Sequence, residues 1–178
     1  MKIFESLDKV SNEEMESKIL KKWKSEDILN KTIENRKNSK NFVFYDGPIY
    51  ANAKPGLHHV FAKTIKDAFC KYQTMQGKRV LRKIGLDTHG LPIEVNVEKK
   101  LGFKTKADIE AFGIENFCKE CNSETATNID EVNKMTDMMG QLIDSDNPYI
   151  TCTNEYIESE WWLIKEIDKK GLIYYGNK

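Results

Sequence analysis

The chain has 178 residues, enough to bury roughly 70% of its unfolded surface, and its 39% hydrophobic and 31% charged residues are typical of a globular protein rather than a disordered one. Lysine plus arginine equals aspartate plus glutamate at 28 each, so the chain as a whole has no net field that would attract a polyanion such as nucleic acid. Its apolar runs fall short of the ~20 residues that span a bilayer, and residues 1–9 lack the apolar core of a signal peptide, so we expect a cytoplasmic protein with no membrane partner.

The first forty residues, 1–40, are predicted to form an amino-terminal helical extension. Ser11 and Glu14 have the spacing of a capping box, which marks the start of a helix. A polar stretch, 30–40, then leads to the main domain. The apolar residues after the cap recur at helical spacing and predict a helix over roughly 11–24: Met15, Ile19, Leu20 and Trp23.

The next segment predicts a strand, a helix and a second strand. Phe42–Tyr45 reads as a buried strand that ends at a turn, and a loop follows over Ile49–Gly56. Apolar residues at three- and four-residue steps predict a helix over 57–75, and Arg79–Ile84 predicts the second strand. Two strands joined by a helix are expected to be parallel, which places the chain in the α/β class.

The remaining segment is predicted to be mainly helical. A short helix ends near Gly102, a capping box begins another at Thr105, and a long helical segment runs from Ile114 towards Asn147. Tyr149–Thr153 looks extended. A last helix is expected to turn four apolar residues inward: Ile157, Trp161, Ile164 and Ile167. A new strand is expected after it, beginning with Leu172–Tyr175.

Two loops carry residues suited to chemistry. In an open parallel sheet, ligands bind beyond the carboxyl ends of the strands, and Asp46–His59 runs from a strand end into a helix start that could receive a phosphate. His58 and His59 stand in the first helical turn, where an imidazole can donate to an anionic oxygen. The alternative is that one histidine caps the helix while the other is merely exposed. Four residues that bring the backbone close to a ligand favour function: Gly47, Pro48, Pro55 and Gly56.

The second loop, Gly85–Pro92, should lie beside the first and offers one carboxylate, Asp87. That aspartate could equally cap the next helix.

Cys118 and Cys121 form a Cys-x-x-Cys pair, but the histidines lie far away in sequence. We therefore expect no metal site and interpret the pair as two small apolar positions on a helix.

Several motifs resemble the signature region of isoleucyl-tRNA synthetases, which are class I enzymes. Phe44–Pro48, Tyr50–Asn52 and Thr64–Asp67 occur at the spacing of that region. Gly85–Glu94 resembles the motif that separates the isoleucine enzymes from their valine and leucine relatives, and Asn147–Thr151 extends the resemblance towards the carboxyl end. The similarity covers almost the whole chain.

This resemblance implies that 41–178 is the first half of a Rossmann-like catalytic domain, ending before an editing insertion. Such an enzyme uses ATP with Mg2+ to convert isoleucine to an enzyme-bound adenylate and then charges tRNA(Ile). The family's His-x-Gly-His box falls on 56–59, where its last histidine is retained and His58 replaces the first. The implied roles are as follows: His58 and His59 are catalytic; Asn52, Gly56, His58 and His59 contact ATP; Gly47, Pro48 and Asp87 contact isoleucine; and Tyr50 is a weaker candidate.

Three functional readings stay open. In the first, the chain is part of an isoleucine-tRNA ligase, incompetent alone, that meets tRNA(Ile) through parts absent from it. In the second, it is a truncated stand-alone paralogue that binds a nucleotide or adenylate without catalysis, which would suit departures from the family pattern at Ile49, Ala53 and Leu86. In the third, it is an interaction module that self-associates through an exposed sheet edge.

Overall fold

The computed structural model describes residues 11–177, so the first ten residues of the predicted extension lie outside the described residues. The described part is an α/β fold, as predicted, and none of its helices combines the length and apolar character that a membrane span requires. Its elements, in chain order, are α1 (Asn12–Ser25), α2 (Ile28–Glu34), β1 (Asn41–Tyr45), β2 (Ile49–Tyr50), α3 (Leu57–Met75), β3 (Arg79–Asp87), α4 (Leu91–Leu101), α5 (Lys106–Phe112), α6 (Ile114–Met138), β4 (Asp144–Ile150) and α7 (Asn154–Asp168).

The sheet is parallel throughout its described pairings, with β3 at its centre. β1 pairs with the first half of β3 and the short β2 with its last residues. β4 pairs with β3 through a register shift between Lys83 and Gly85. The predicted parallel strand, helix and strand unit of β1, α3 and β3 is therefore confirmed.

The core lies between β3 and α6. Ile84 and Leu86 of β3 pack with Val132 of α6 and with Ile49 and Ile143, and all five are buried. These contacts hold the carboxyl half of β3 against the long helix. The fold thereby fixes the two loops that follow β1 and β3.

The capping boxes predicted the helix starts correctly. Ser11 Oγ accepts a hydrogen bond from the Glu14 amide at the start of α1. Asp108 accepts from the Thr105 amide at 2.8 Å before α5. Gly102 ends α4 in the left-handed conformation, at the predicted position. Local side-chain chemistry thus sets these boundaries.

Several predicted segments differ from the structure. The stretch 30–40 contains most of α2, and the predicted loop 49–56 contains β2. The long helix ends at Met138, so Asn147 and Pro148 lie within β4. Residues 172–177 form no strand.

The predicted burial of two elements, β1 and α7, was wrong. β1 is an edge strand with alternate side chains exposed, not a buried one. The apolar residues of α7 face solvent, including Trp161, which is 65% exposed. The apolar side of α3, whose burial was not predicted, is also exposed, with Leu57 at 82% and Phe61 at 69%. The α3 residues that are buried are mostly polar: Lys63, Asp67, Cys70 and Thr74.

Candidate functional site

The loops after β1 and β3 lie side by side at one end of the sheet. The Asp46 amide donates to the Lys83 carbonyl at 2.9 Å, directly after the last residue of β1. Further along the loop, the Ala51 amide donates to the Asp87 carbonyl at 2.7 Å. The first loop therefore follows the edge of β3 to its carboxyl end, where parallel sheets bind ligands.

A buried ion cluster joins the first loop to α3. The Asp46 side chain is 0% exposed, and its two oxygens each lie 2.6 Å from a lysine nitrogen, Lys63 Nζ and Lys66 Nζ. The Asp46 carbonyl also accepts a hydrogen bond from the Tyr149 hydroxyl of β4. Two elements, α3 and β4, thus converge on the residue immediately before Gly47. This cluster was not predicted, although two lysines three residues apart on a helix, with an aspartate at a strand end, were a signal for it.

The two histidines form a ring pair at the start of α3. Their ring centroids lie 3.9 Å apart. His59 Nδ1 accepts a hydrogen bond from the Gly56 amide at 3.0 Å, so in the neutral ring the proton is on Nε2, which can donate. A Cβ at residue 56 would lie 3.0 Å from the His58 ring, so glycine gives that ring its room.

Burial is the main cause that lowers the pKa of His59, and the positive charges of His58 and Lys63 lower it further. His59 is therefore a neutral hydrogen-bond donor near neutral pH. His59 caps the helix and His58 is exposed, which matches the geometry of the alternative reading. A ligand role for both stays a prediction.

Asp87 lies in a network with Thr88, His89 and Thr151. Thr151 Oγ1 lies 3.3 Å from Asp87 Oδ1, 2.9 Å from His89 Nδ1 and 3.0 Å from the Thr88 amide. The Cys152 amide donates to the Thr88 hydroxyl at 3.2 Å. The Asp87 carboxylate is therefore held by Thr151, the first residue after β4.

The other candidates lie along the first loop. Gly47 and Pro48 are exposed, and Asn52 is half-buried with its carbonyl accepting from the Asn96 side chain at 2.6 Å. Tyr50 pairs with Asp87 in the sheet, and its pKa is raised, chiefly by burial and then by the Asp87 charge.

The structure thus brings Tyr50 beside Asp87. The contacts of His59 are with Gly56 and His58 rather than with Asp87, so a pocket shared by His59 and Asp87 stays a prediction.

The cysteines show no sign of a metal centre. Cys118 and Cys121 both lie on α6, the first exposed and the second half-buried. Burial is the main cause that raises the pKa of the Cys121 thiol. Within residues 11–177, no group of three or more histidine, cysteine or acidic side chains could hold a metal ion.

A Rossmann-like sheet with these two loops is the arrangement of a class I synthetase catalytic domain, and the family model "tRNA synthetases class I (I, L, M and V)" matches residues 18–178. The chain belongs to this family. A LeuRS chain from Agrobacterium radiobacter K84, solved as a ternary complex with tRNA and LeuAMS, matches 89% of this chain with a TM-score of 0.65. At 22% identity, and with 18% of its own length covered, it supports the fold alone.

Within the family, several similar curated proteins are isoleucine enzymes. Isoleucine--tRNA ligases of Clostridium kluyveri and of Dehalococcoides mccartyi strain CBDB1 are each 46% identical over 93% of this chain. Isoleucine--tRNA ligase 2 of Bacillus cereus is 44% identical over 92%. The chain spans 16% of the length of each of these relatives. The resemblance that the motifs predicted is confirmed.

Proposed function

We propose that this chain supplies the first half of the ATP and isoleucine site of an isoleucine-tRNA ligase, in the cytoplasm, with tRNA(Ile) bound through parts outside it. The observation that carries the proposal is the meeting of the two motif loops at the carboxyl end of β3, where the Ala51 amide bonds to the Asp87 carbonyl. The names of the similar relatives favour this reading over a stand-alone paralogue.

The proposed phosphate contacts are at the start of α3. His59 is a neutral donor through Nε2, and the exposed His58 ring packs against it at a tilt of 44°. Donors held in place before the reaction stabilise the charge that grows on the α-phosphate as the isoleucine carboxylate attacks it and the bond to the β-phosphate breaks, releasing pyrophosphate. Gly56 would allow the backbone to approach the nucleotide, and Asn52, earlier in the same loop, would be a further contact. Mg2+ would arrive on the ATP phosphates, and we assign it no ligand in this chain.

Isoleucine is proposed to bind between the two loops. Asp87 would pair with its α-ammonium group, because a fixed carboxylate is the natural partner of a buried cation. Gly47 and Pro48 would line the side-chain pocket, held by the ion cluster at Asp46. Tyr50 would close the pocket beside Asp87. Alignment of the two substrates, rather than covalent chemistry by the protein, then provides the catalysis.

Calorimetry with a non-hydrolysable isoleucyl-adenylate analogue tests the proposal. We expect the chain to bind it, and His59→Ala and Asp87→Ala each to weaken binding by about tenfold or more, since each removes a charge-assisted hydrogen bond. Lys119→Ala on the exposed face of α6 is the matched control and should bind like the original. Unchanged affinity in both site variants would contradict the proposed site. Isoleucine-dependent exchange between ATP and pyrophosphate in a longer relative carrying the same residues would separate a ligase from a binding paralogue.

We also propose that the isolated chain self-associates. The outer edge of β1 is unpaired among the described strands, and exposed apolar residues on α3 accompany it. Unpaired strand edges and large apolar patches are the two surface features that most favour association.

A further inference from the structure

Thr151 is a buried hydroxyl next to the proposed amino-acid site. It follows β4, is 5% exposed, and reaches across to the loop after β3, where it contacts Asp87, Thr88 and His89. We infer that Thr151 is a positioning residue that sets both the direction of the Asp87 carboxylate and the tautomer of His89. This inference rests on the proposed function for its consequence in binding, but not for its geometry.

The proton count at Thr151 Oγ1 leads to the tautomer. A hydroxyl has one proton to donate and two lone pairs that accept. The Thr88 amide at 3.0 Å is a donor, so it takes one lone pair, and the ionised Asp87 carboxylate at 3.3 Å is an acceptor, so it takes the proton. The Thr88 hydroxyl, 3.3 Å from the same Oγ1 atom, competes for the remaining lone pair. The contact with His89 Nδ1 is shorter, at 2.9 Å, so we assign that lone pair to a proton on His89 Nδ1. This assignment gives His89 the Nδ1–H form, with Nε2 as an acceptor.

This arrangement prepares two acceptors for an ammonium group. The hydrogen bond to Thr151 holds Asp87 Oδ1, which leaves Oδ2 to receive one N–H of isoleucine. His89 is exposed although its Nδ1 bonds to a buried hydroxyl, so the rest of the ring is open to a ligand. An ammonium group has three N–H donors, and Nε2 of His89 can receive a second one. Thr151 thereby couples the two acceptors without touching the substrate.

The backbone around Thr151 is held independently of its side chain. The Thr151 amide donates to the Leu86 carbonyl at 3.1 Å, continuing the pairing of β4 with β3. Substitutions at Thr151 can therefore remove the hydroxyl while leaving the strand in place. Thr151→Val removes the hydroxyl with almost no change of shape, and Thr151→Ser retains it, so the two variants form a matched pair.

The first test is the histidine tautomer in the ligand-free, 15N-labelled chain. Long-range proton–nitrogen correlation distinguishes the two neutral tautomers, and His89→Gln identifies the His89 signals among the three histidines. We expect the Nδ1–H form in the original chain and in Thr151→Ser, and a shift towards Nε2–H in Thr151→Val. An Nε2–H imidazole in the original chain overturns the inference by itself, even if Thr151→Val does not fold.

The second test is affinity for the isoleucyl-adenylate analogue. Thr151→Val should weaken binding by about tenfold, and Thr151→Ser by less than about threefold, since one hydrogen bond to a charged group is at stake. If the original chain binds and Thr151→Val binds equally well, the positioning role is wrong. If the original chain does not bind at all, the proposed function fails, whereas the tautomer measurement still decides the geometry.

Discussion

At the scale of single residues, the most demanding feature is the buried carboxylate of Asp46. Lys63 is 1% exposed and lies 2.6 Å from it, so two opposite charges are removed from water together. Each depends on the other, because a buried charge without a partner costs several kcal/mol. Lys66 completes the cluster from a side chain that is still 35% exposed. The loop that carries Gly47 and Pro48 is therefore tied to α3 by electrostatics rather than by apolar packing.

We expect Asp46→Asn to lower the free energy of unfolding by about 3–5 kcal/mol, because it leaves Lys63 buried without a counter-charge. Lys66→Met should cost no more than about 1 kcal/mol, since its ion pair is partly in water. Urea unfolding followed by circular dichroism measures both. Equal losses in the two variants would show that burial does not set the strength of this cluster.

At the scale of elements, periodicity found α3 but not its orientation. The apolar stripe predicted the helix over 57–75, and the structure has it at those residues. Binary patterning assumes that the apolar side is the buried one. Here the buried side of α3 instead binds charged groups. Lys63 of α3 forms an ion pair with Asp46, and the buried Arg82 guanidinium of β3 donates a hydrogen bond to the Thr74 side chain of α3. The sequence of α3 alone cannot show which of its sides faces the sheet. That depends on how the strands beside it are arranged.

Some residues of the candidate site can likewise be predicted from the sequence, and others cannot. Asp87, His58 and His59 follow from local motifs, since loops after strands and the first turn of a helix can be read from a short segment. Thr151 could not be found in that way, because it lies 64 residues from Asp87 in sequence and meets it only through the pairing of β4 with β3. The fold class and most boundaries were therefore predictable, whereas contacts across strands were not.

The pairing of β4 with β3 depends on a glycine. A Cβ built on Gly85 would overlap the Tyr149 ring, which lies over it. The Tyr149 ring also stacks on Tyr156 at a centroid distance of 6.0 Å, and its hydroxyl donates to the Asp46 carbonyl. The aromatic side chain therefore has little freedom to move aside, and the register of the sheet requires glycine at this position.

We expect Gly85→Ala to lower the free energy of unfolding by about 1–3 kcal/mol, the usual cost of overpacking. The same change in a Tyr149→Ala background should cost much less, because the ring that the methyl group would meet is gone. A double-mutant cycle from denaturant unfolding gives the coupling. Additive losses would mean that the tyrosine is not the constraint.

At the scale of the whole molecule, the described fold leaves much apolar surface open. The accessible surface is 13447 Å² for a chain of 20.6 kDa, about half again the roughly 8,900 Å² expected of a compact monomer. The chain therefore buries only about 55% of its unfolded surface, less than the roughly 70% expected from its length. The excess includes apolar side chains on α3 and α7 and on the edge strand β1. Exposed apolar surface of this extent favours association, and for the isolated chain in solution the available partner is another copy of itself.

We expect the weight-average sedimentation coefficient of the isolated chain to rise with concentration, because association buries the apolar side of α3. Phe61 and Phe69 are 69% and 62% exposed on that helix, so the double variant Phe61→Ser, Phe69→Ser should sediment as a monomer at concentrations where the original chain associates. Ile114→Ser is the matched control, because Ile114 is similarly exposed, at 66%, but lies at the start of α6. A flat profile for the original chain would refute self-association, and equal weakening by the control would place the contact elsewhere. Since neither phenylalanine is buried, circular dichroism should show the same fold in all three proteins, so that a change in sedimentation reports the surface and not unfolding.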